Sequence, residues 1–175
     1  MKRFEILAGL PGDGPLPEYF GATESGRFRE GLVVRFFLAE GEAWVGNFEA
    51  GLTGLNEVIE TSAAGPITVI AGGQGYDIDS DRRTCVRKFG GSIEVMLHVP
   101  EIEALVIGEG IELEAIGAAG TIWKSPRLSW DGMRRFSKAG TTLTGEAYDP
   151  MTDEWKRFVV DIRTGDAVGG SYDEG

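Results

Sequence analysis

The sequence predicts an all-β protein of about four antiparallel units, each with three or four strands. Three observations carry that expectation. Short apolar runs recur along the chain, most of them closed by Gly, Pro, Asn or Asp, the residues that turn strands back. Several runs alternate with a period of two, as Ile111, Leu113 and Ala115 do against Glu112 and Glu114, which is the signature of a half-buried strand. The pattern also repeats: Val33, Val69, Leu105 and Leu143 open similar stretches at spacings of 36, 36 and 38 residues.

Composition sets the frame for these strands. The 175 residues suit one domain, expected over 1–175, with a loop-rich arm over 1–31 that is dense in Pro and Gly. Gly is abundant, 27 residues, and is scattered between apolar runs as turns require. The net charge of -11 argues against nucleic acid, because phosphate binding needs a basic surface, and it repels anionic membranes. Cys85 is the only cysteine, so no intrachain disulfide or cysteine zinc cluster can form. The N-terminus breaks at Pro11 and Gly12 before any long apolar stretch, so no signal peptide is expected, and a cytoplasmic location is.

In chain order, LVVRFFLA (32–39) and EAWVGNF (42–48) read as a hairpin around Glu40 and Gly41. TGLNEVIETSAA (53–64) is the one helix candidate, with Thr53 as a possible N-cap and Leu55, Val58 and Ile59 at helical spacing, and a loop is the alternative there. Strands are then expected at 67–72, 75–79, 84–89, 92–99, 104–109, 111–117 and 121–125. The last set is 142–149, 154–162 and 166–172.

ITVIAGGQGYDIDSDRRTCVRKFGGS (67–92) aligns with the stretch around EALVIGEGIELEAIGAAGTIWKS (103–125): apolar strand, glycine turn, alternating strand, polar turn, strand ending in a base. With its period, this pattern resembles the repeats of β-propellers, of the quinoprotein (PQQ) and WD40-like kinds. The turn DIRTG (161–165) is similar to the Asp-x-x-Thr-Gly turn of quinoprotein blades. The resemblance implies a propeller-like arrangement or a twisted meander. It carries no cofactor residues onto this chain, since no position matches a quinone-binding motif, and no cofactor is expected.

The stretch VIAGGQGYDID (69–79) tests the alternatives to a plain hairpin. A dinucleotide loop needs G-x-G-x-x-G between a strand and a helix, but Ile78 stands where the third glycine should, and an alternating strand follows. The glycines are therefore expected in a tight hairpin turn. Asp77, Asp79 and Asp81 have the spacing of a calcium loop, but Arg82 and Lys88 occupy the places of its Gly and Glu, so Asp77 and Asp79 are expected to be solvated or paired with Arg82, Arg83 and Arg87, and no metal is expected. His98, the only histidine, is expected as a buried core residue, and Cys85 as a strand core position.

Two segments stand out from this plain reading. From Lys124 to Lys138 the chain carries Lys124, Arg127, Arg134, Arg135 and Lys138 against one acid, Asp131, with Trp130-Asp131-Gly132 as a turn that exposes an aromatic. Trp and Arg are the residue types that anchor interfaces. The plain alternative is that these bases neutralise nearby carboxylates while Trp130 packs between blades. From 101 to 114 the chain holds five glutamates and no Lys or Arg, among them Glu109, Glu112 and Glu114. That face could meet a basic partner, or simply be solvated and guard a sheet edge.

The expected function is a non-enzymatic, cytoplasmic protein-binding module, in its specific form an immunity-type protein whose acidic face covers a basic toxin. The partner-binding candidates are Glu109, Glu112, Glu114, Arg127, Trp130, Asp131, Arg134 and Arg135. A second reading, from another class, is a small carboxylate-dependent hydrolase or sugar-binding protein with a β cleft. A third is a homodimer in which open strand edges close one another.

Overall fold

The computed structural model describes residues 3–21, 29–39, 41–62 and 65–172. Its strands form four four-stranded sheets. The first contains β1 (Phe4–Leu7), β2 (Glu18–Phe20), β3 (Leu32–Phe37) and β4 (Ala43–Phe48), in the spatial order β1-β3-β4-β2. The second runs in chain order through β5 (Glu57–Glu60), β6 (Ile67–Ala71), β7 (Gln74–Asp79) and β8 (Thr84–Gly90). The third holds β9 (Val95–Val99), β10 (Ala104–Gly108), β11 (Leu113–Gly117) and β12 (Gly120–Lys124), with a 3-10 turn, Pro100–Ile102, between β9 and β10. The fourth holds β13 (Met133–Ala139), β14 (Thr142–Asp149), β15 (Glu154–Asp161) and β16 (Ala167–Gly169). Every pairing is antiparallel except β2 with β4, where the early strand lies alongside β4 in parallel.

The chain divides into two compact units, Met1–Ile93 and Glu94–Gly175, each made of two sheets. Within the first unit, Val34, Phe36, Trp44 and Phe48 of the first sheet share a core with Ile67, Val69, Tyr76 and Ile78 of the second. Within the second unit, Val106, Leu113 and Ala115 share one with Leu143, Ala147, Phe158 and Val160. The period-two rule is followed most strictly by β14, in which Leu143, Gly145, Ala147 and Asp149 are buried and the residues between them are not.

The repeat expected from sequence has a structural meaning. Val33, Val69, Leu105 and Leu143 lie on β3, β6, β10 and β14, each the second strand across its sheet. The glycine stretch is a hairpin: Ala71 pairs with Gln74, and Gly72 and Gly73 between them have φ of 52° and 85°. Two successive positive φ values make the type I′ turn that matches strand twist, and glycine adopts it without a steric penalty.

Four expectations change. Residues 53–64 form no helix among the described positions, but a turn leading into β5, with 63 and 64 outside the described residues. Val58 pairs across the sheet with Val69, and the Thr53 hydroxyl donates to the carbonyl of Ile93 instead of capping a helix. The loop-rich arm holds β1 and β2. Cys85 is exposed, because β8 is an edge strand. His98 is half-buried rather than buried, because β9 is also an edge strand and pairs only with β10.

The two sheets of each unit are tied by an indole. Trp44 on β4 donates Nε1–H to the carbonyl of Ser80 at 2.9 Å, and Trp123 on β12 donates to the carbonyl of Ile162 at 2.8 Å. Ser80 and Ile162 are the residues that follow the third strands β7 and β15, so the two bonds serve equivalent carbonyls. Trp123 also packs flat on Gly165, where an added Cβ would come within 2.7 Å of the ring. Trp123→Phe and Trp44→Phe keep most of the apolar contact but orphan a buried acceptor, so each should cost about 1–3 kcal/mol. Urea unfolding should show a lower midpoint with little change in slope, and unchanged midpoints in both variants would remove the ties from the account.

Candidate functional site

The sequence candidates fall on two neighbouring sheets of the second unit. Glu109 and Glu112 lie between β10 and β11, and Glu114 is on β11. Register places Glu114 opposite Lys124 on β12. Lys124 reaches Glu114 at 3.2 Å and Glu112 at 3.9 Å, and Thr121 donates its hydroxyl to Glu114. The hydrogen bond and charge of Glu114, with the charges of Glu112 and Glu109, hold the Lys124 ammonium above its ordinary pKa. The acidic strand is thus partly neutralised by its own neighbour. Lys138 does the same for Glu101 at 2.5 Å.

The basic segment builds a surface of alternating guanidinium and aromatic groups on the fourth sheet and the segments that flank it. Ser129 organises it. Its buried hydroxyl donates to the Gly132 carbonyl at 2.6 Å and accepts the amide of Asp131 at 3.2 Å, closing the turn that presents Trp130. Gly132 takes φ of 82° there. Trp130 is 43% exposed, with its amide on the hydroxyl of Ser171 at 3.2 Å. Tyr172 meets Trp130 edge to face at 4.7 Å. The guanidinium of Arg127 lies over both rings, 5.1 Å from Trp130 and 4.4 Å from Tyr172, and donates to the carbonyl of Ser129 at 2.9 Å. Asp131 is exposed at the tip of the turn.

A second stack adjoins the first through β14. Tyr148 and Trp155 face each other across the β14–β15 hairpin, with rings 5.2 Å apart. Arg134 on β13 covers the Trp155 ring at 3.8 Å and donates to Glu146 at 2.8 Å. Arg135 reaches the other oxygen of Glu146 at 3.2 Å. Arg135 has φ of 55°, at the bulge where the β13–β14 register shifts. The bulge lets both successive arginines address one carboxylate, which a regular strand would send to opposite faces. Ser171 donates its hydroxyl to the Tyr148 carbonyl at 2.6 Å while accepting the Trp130 amide, so the two stacks share an anchor.

Both sequence readings of this segment therefore describe part of it: the arginines do neutralise a carboxylate, and Trp130 is exposed. Tyr148, Trp155 and Tyr172 were absent from the sequence candidates. The first two were within reach, because a hairpin turning at 150–153 puts Tyr148 opposite Trp155. Tyr172 comes in through a chain reversal that no local pattern announces.

Two carboxylates of this surface are held ionised. Glu146 lies below the ordinary carboxylate range, first through its hydrogen bond from Arg134 and then through Arg135. Asp149 is likewise lowered by Lys156 at 2.6 Å and by the amide of Met151. A hollow of about 210 Å3 opens beside Arg134, lined by Glu94, Val95, Gly108, Gly110, Met133 and Phe136.

Elsewhere the charged motifs are structural. Buried Asp77 receives the Thr68 hydroxyl at 2.6 Å and Arg87 at 2.6 Å, and Asp79 pairs with Arg82 at 3.0 Å. Partial burial of its sulfur raises the Cys85 thiol above its ordinary pKa, opposite to what a reactive thiolate needs. Among the described residues no group of three or more His, Cys, Asp or Glu is placed to hold a metal, and no helix is long and apolar enough to cross a membrane.

No family model matches the chain, and no curated protein matches it. A solved structure, the crystal structure of the computationally designed Ika8 protein, is similar at a TM-score of 0.48 and 12% identity over 85% of this chain. The chain spans about half the length of that designed protein, 49%.

The Glu146 bridge sets a pH dependence. Its folded pKa is below the unfolded one, so its contribution is fully present above the ordinary carboxylate range and is lost as pH falls through the folded value. Acid titration of tryptophan fluorescence should show a step below pH 4.5, the unperturbed glutamate value, as Arg134 is released from over Trp155. Glu146→Gln should remove that step, and an unchanged step in the variant would assign it to another carboxylate.

Proposed function

We propose that this chain is a non-enzymatic, cytoplasmic protein-binding module of the immunity type, which engages a basic protein through the guanidinium–aromatic surface of its fourth sheet. The observation that carries this reading is the paired stack: Arg127 over Trp130 and Tyr172, and Arg134 over Trp155, with the indoles 43% and 36% exposed. Trp, Tyr and Arg dominate the energetics of protein interfaces, and side chains already fixed lose little entropy on docking. The net charge of -11 supplies the complementary long-range term, drawing a basic partner in and weakening with salt.

Two features favour this reading over a carboxylate-dependent hydrolase or sugar-binding protein. A sugar would need an open aromatic face, whereas Arg134 occupies a face of Trp155 at 3.8 Å. A glycosidase-type general acid needs a raised pKa, whereas Glu146 and Asp149 are both lowered.

Light scattering and pull-down from the source lysate, each at low and high salt, test the proposal. A basic protein should co-elute at low salt and be lost at high salt. Trp130→Ala and Trp155→Ala should each weaken that complex about 30-fold or more, the effect of a hot-spot truncation of 2 kcal/mol. Folded variants that bind as tightly as the parent would refute the assignment to this surface.

A further inference from the structure

The geometry points to the hollow beside Arg134 as the socket for a lysine side chain of the basic partner; this rests on the binding-module reading above. At about 210 Å3 the hollow is below the size of ordinary small-molecule pockets and suits a single side chain. Its apolar lining, Val95, Met133 and Phe136, belongs to the margin of the unit's core and offers surface to an aliphatic stem. Its two charged members are not equivalent. Arg134 is already committed, bonded to Glu146 and stacked on Trp155. Glu94 is exposed, and its carboxylate makes no hydrogen bond or ion pair among the described residues. The uncompensated charge facing the hollow is therefore negative.

Gly110 strengthens the assignment. A Cβ there would have the Glu94 carboxylate at 4.0 Å as its nearest neighbour, so bare backbone leaves the approach to that carboxylate open. Lysine fits better than arginine for two reasons. An ammonium is a point charge that one carboxylate oxygen can satisfy, whereas a guanidinium seeks a planar pair of acceptors. A face of Trp155 on which an incoming guanidinium would stack is also taken by Arg134. The socket adjoins the Trp155 stack through Arg134 itself, so one docking event would use both.

The test uses the full chain labelled with 13C at its methionine methyls, titrated with tetralysine and followed by NMR. Met133 lines the hollow, while Met151 is 84% exposed on the β14–β15 turn and serves as the internal reference. The Met133 methyl should shift saturably while Met151 stays in place, and tetralysine with acetylated side chains should give no shift. Glu94→Gln should weaken the binding about tenfold, the worth of one charge-assisted hydrogen bond. Glu103→Gln, the same charge change at the far end of β9 and β10, should leave it as in the parent. Equal movement of both methyls, or unaltered affinity in Glu94→Gln, would overturn the socket. Its failure would leave the partner complex and its sensitivity to Trp155→Ala intact, whereas failure of the binding-module reading would abolish the complex and leave the Met133 titration unchanged.

Discussion

Each unit depends on satisfying one buried carbonyl. A third strand that ends against the neighbouring sheet leaves its next carbonyl facing the core, away from water, and an unpaired acceptor there is costly. Trp44 and Trp123 answer this with an indole N–H at 2.9 and 2.8 Å. The same ring lies in the core its two sheets share, beside its same-sheet neighbour Phe36 at 4.5 Å in one unit and against Gly165 in the other. Polar satisfaction and apolar filling come from one side chain, which fixes how closely the sheets approach. The outer surface of the fourth sheet can be rigid because its inner face is held in this way.

The strands that were legible in the sequence are those with one buried face. Alternation in 142–149 reproduces the burial of β14 residue by residue, and the spacing of Val33, Val69, Leu105 and Leu143 finds the second strand of every sheet. What was misread has specific causes. Leu55, Val58 and Ile59 have helical spacing, but Asn56 accepts the Gly72 amide and Val58 pairs with Val69, contacts that local spacing cannot reveal. β1 and β2 sit among prolines and glycines that mask such short strands. In 125–136 the clustered bases hide the start of β13, whose arginines reach Glu146 on the next strand.

The same limit governed the site. Trp130 in an exposed turn could be read locally, because Gly132 and Ser129 are close in sequence. Lys124 as the partner of Glu114 could not, since the register of β11 with β12 shifts at Ala115. That shift sets Glu114 opposite Lys124. Glu94, which lines the hollow beside Arg134, makes no ion pair among the described residues. Acidic attraction and aromatic anchoring, which looked like separate features of the sequence, meet around Arg134.

The proposed contact surface is the fourth sheet with its flanking turns and the adjoining hollow. Amide hydrogen exchange of the chain, free and bound to the basic protein recovered at low salt, tests it most directly. Slowed exchange is expected at 127–136, 146–157 and 94–95, with little change across β3–β8. Protection concentrated in the first unit, with 127–136 exchanging as in the free protein, would contradict it.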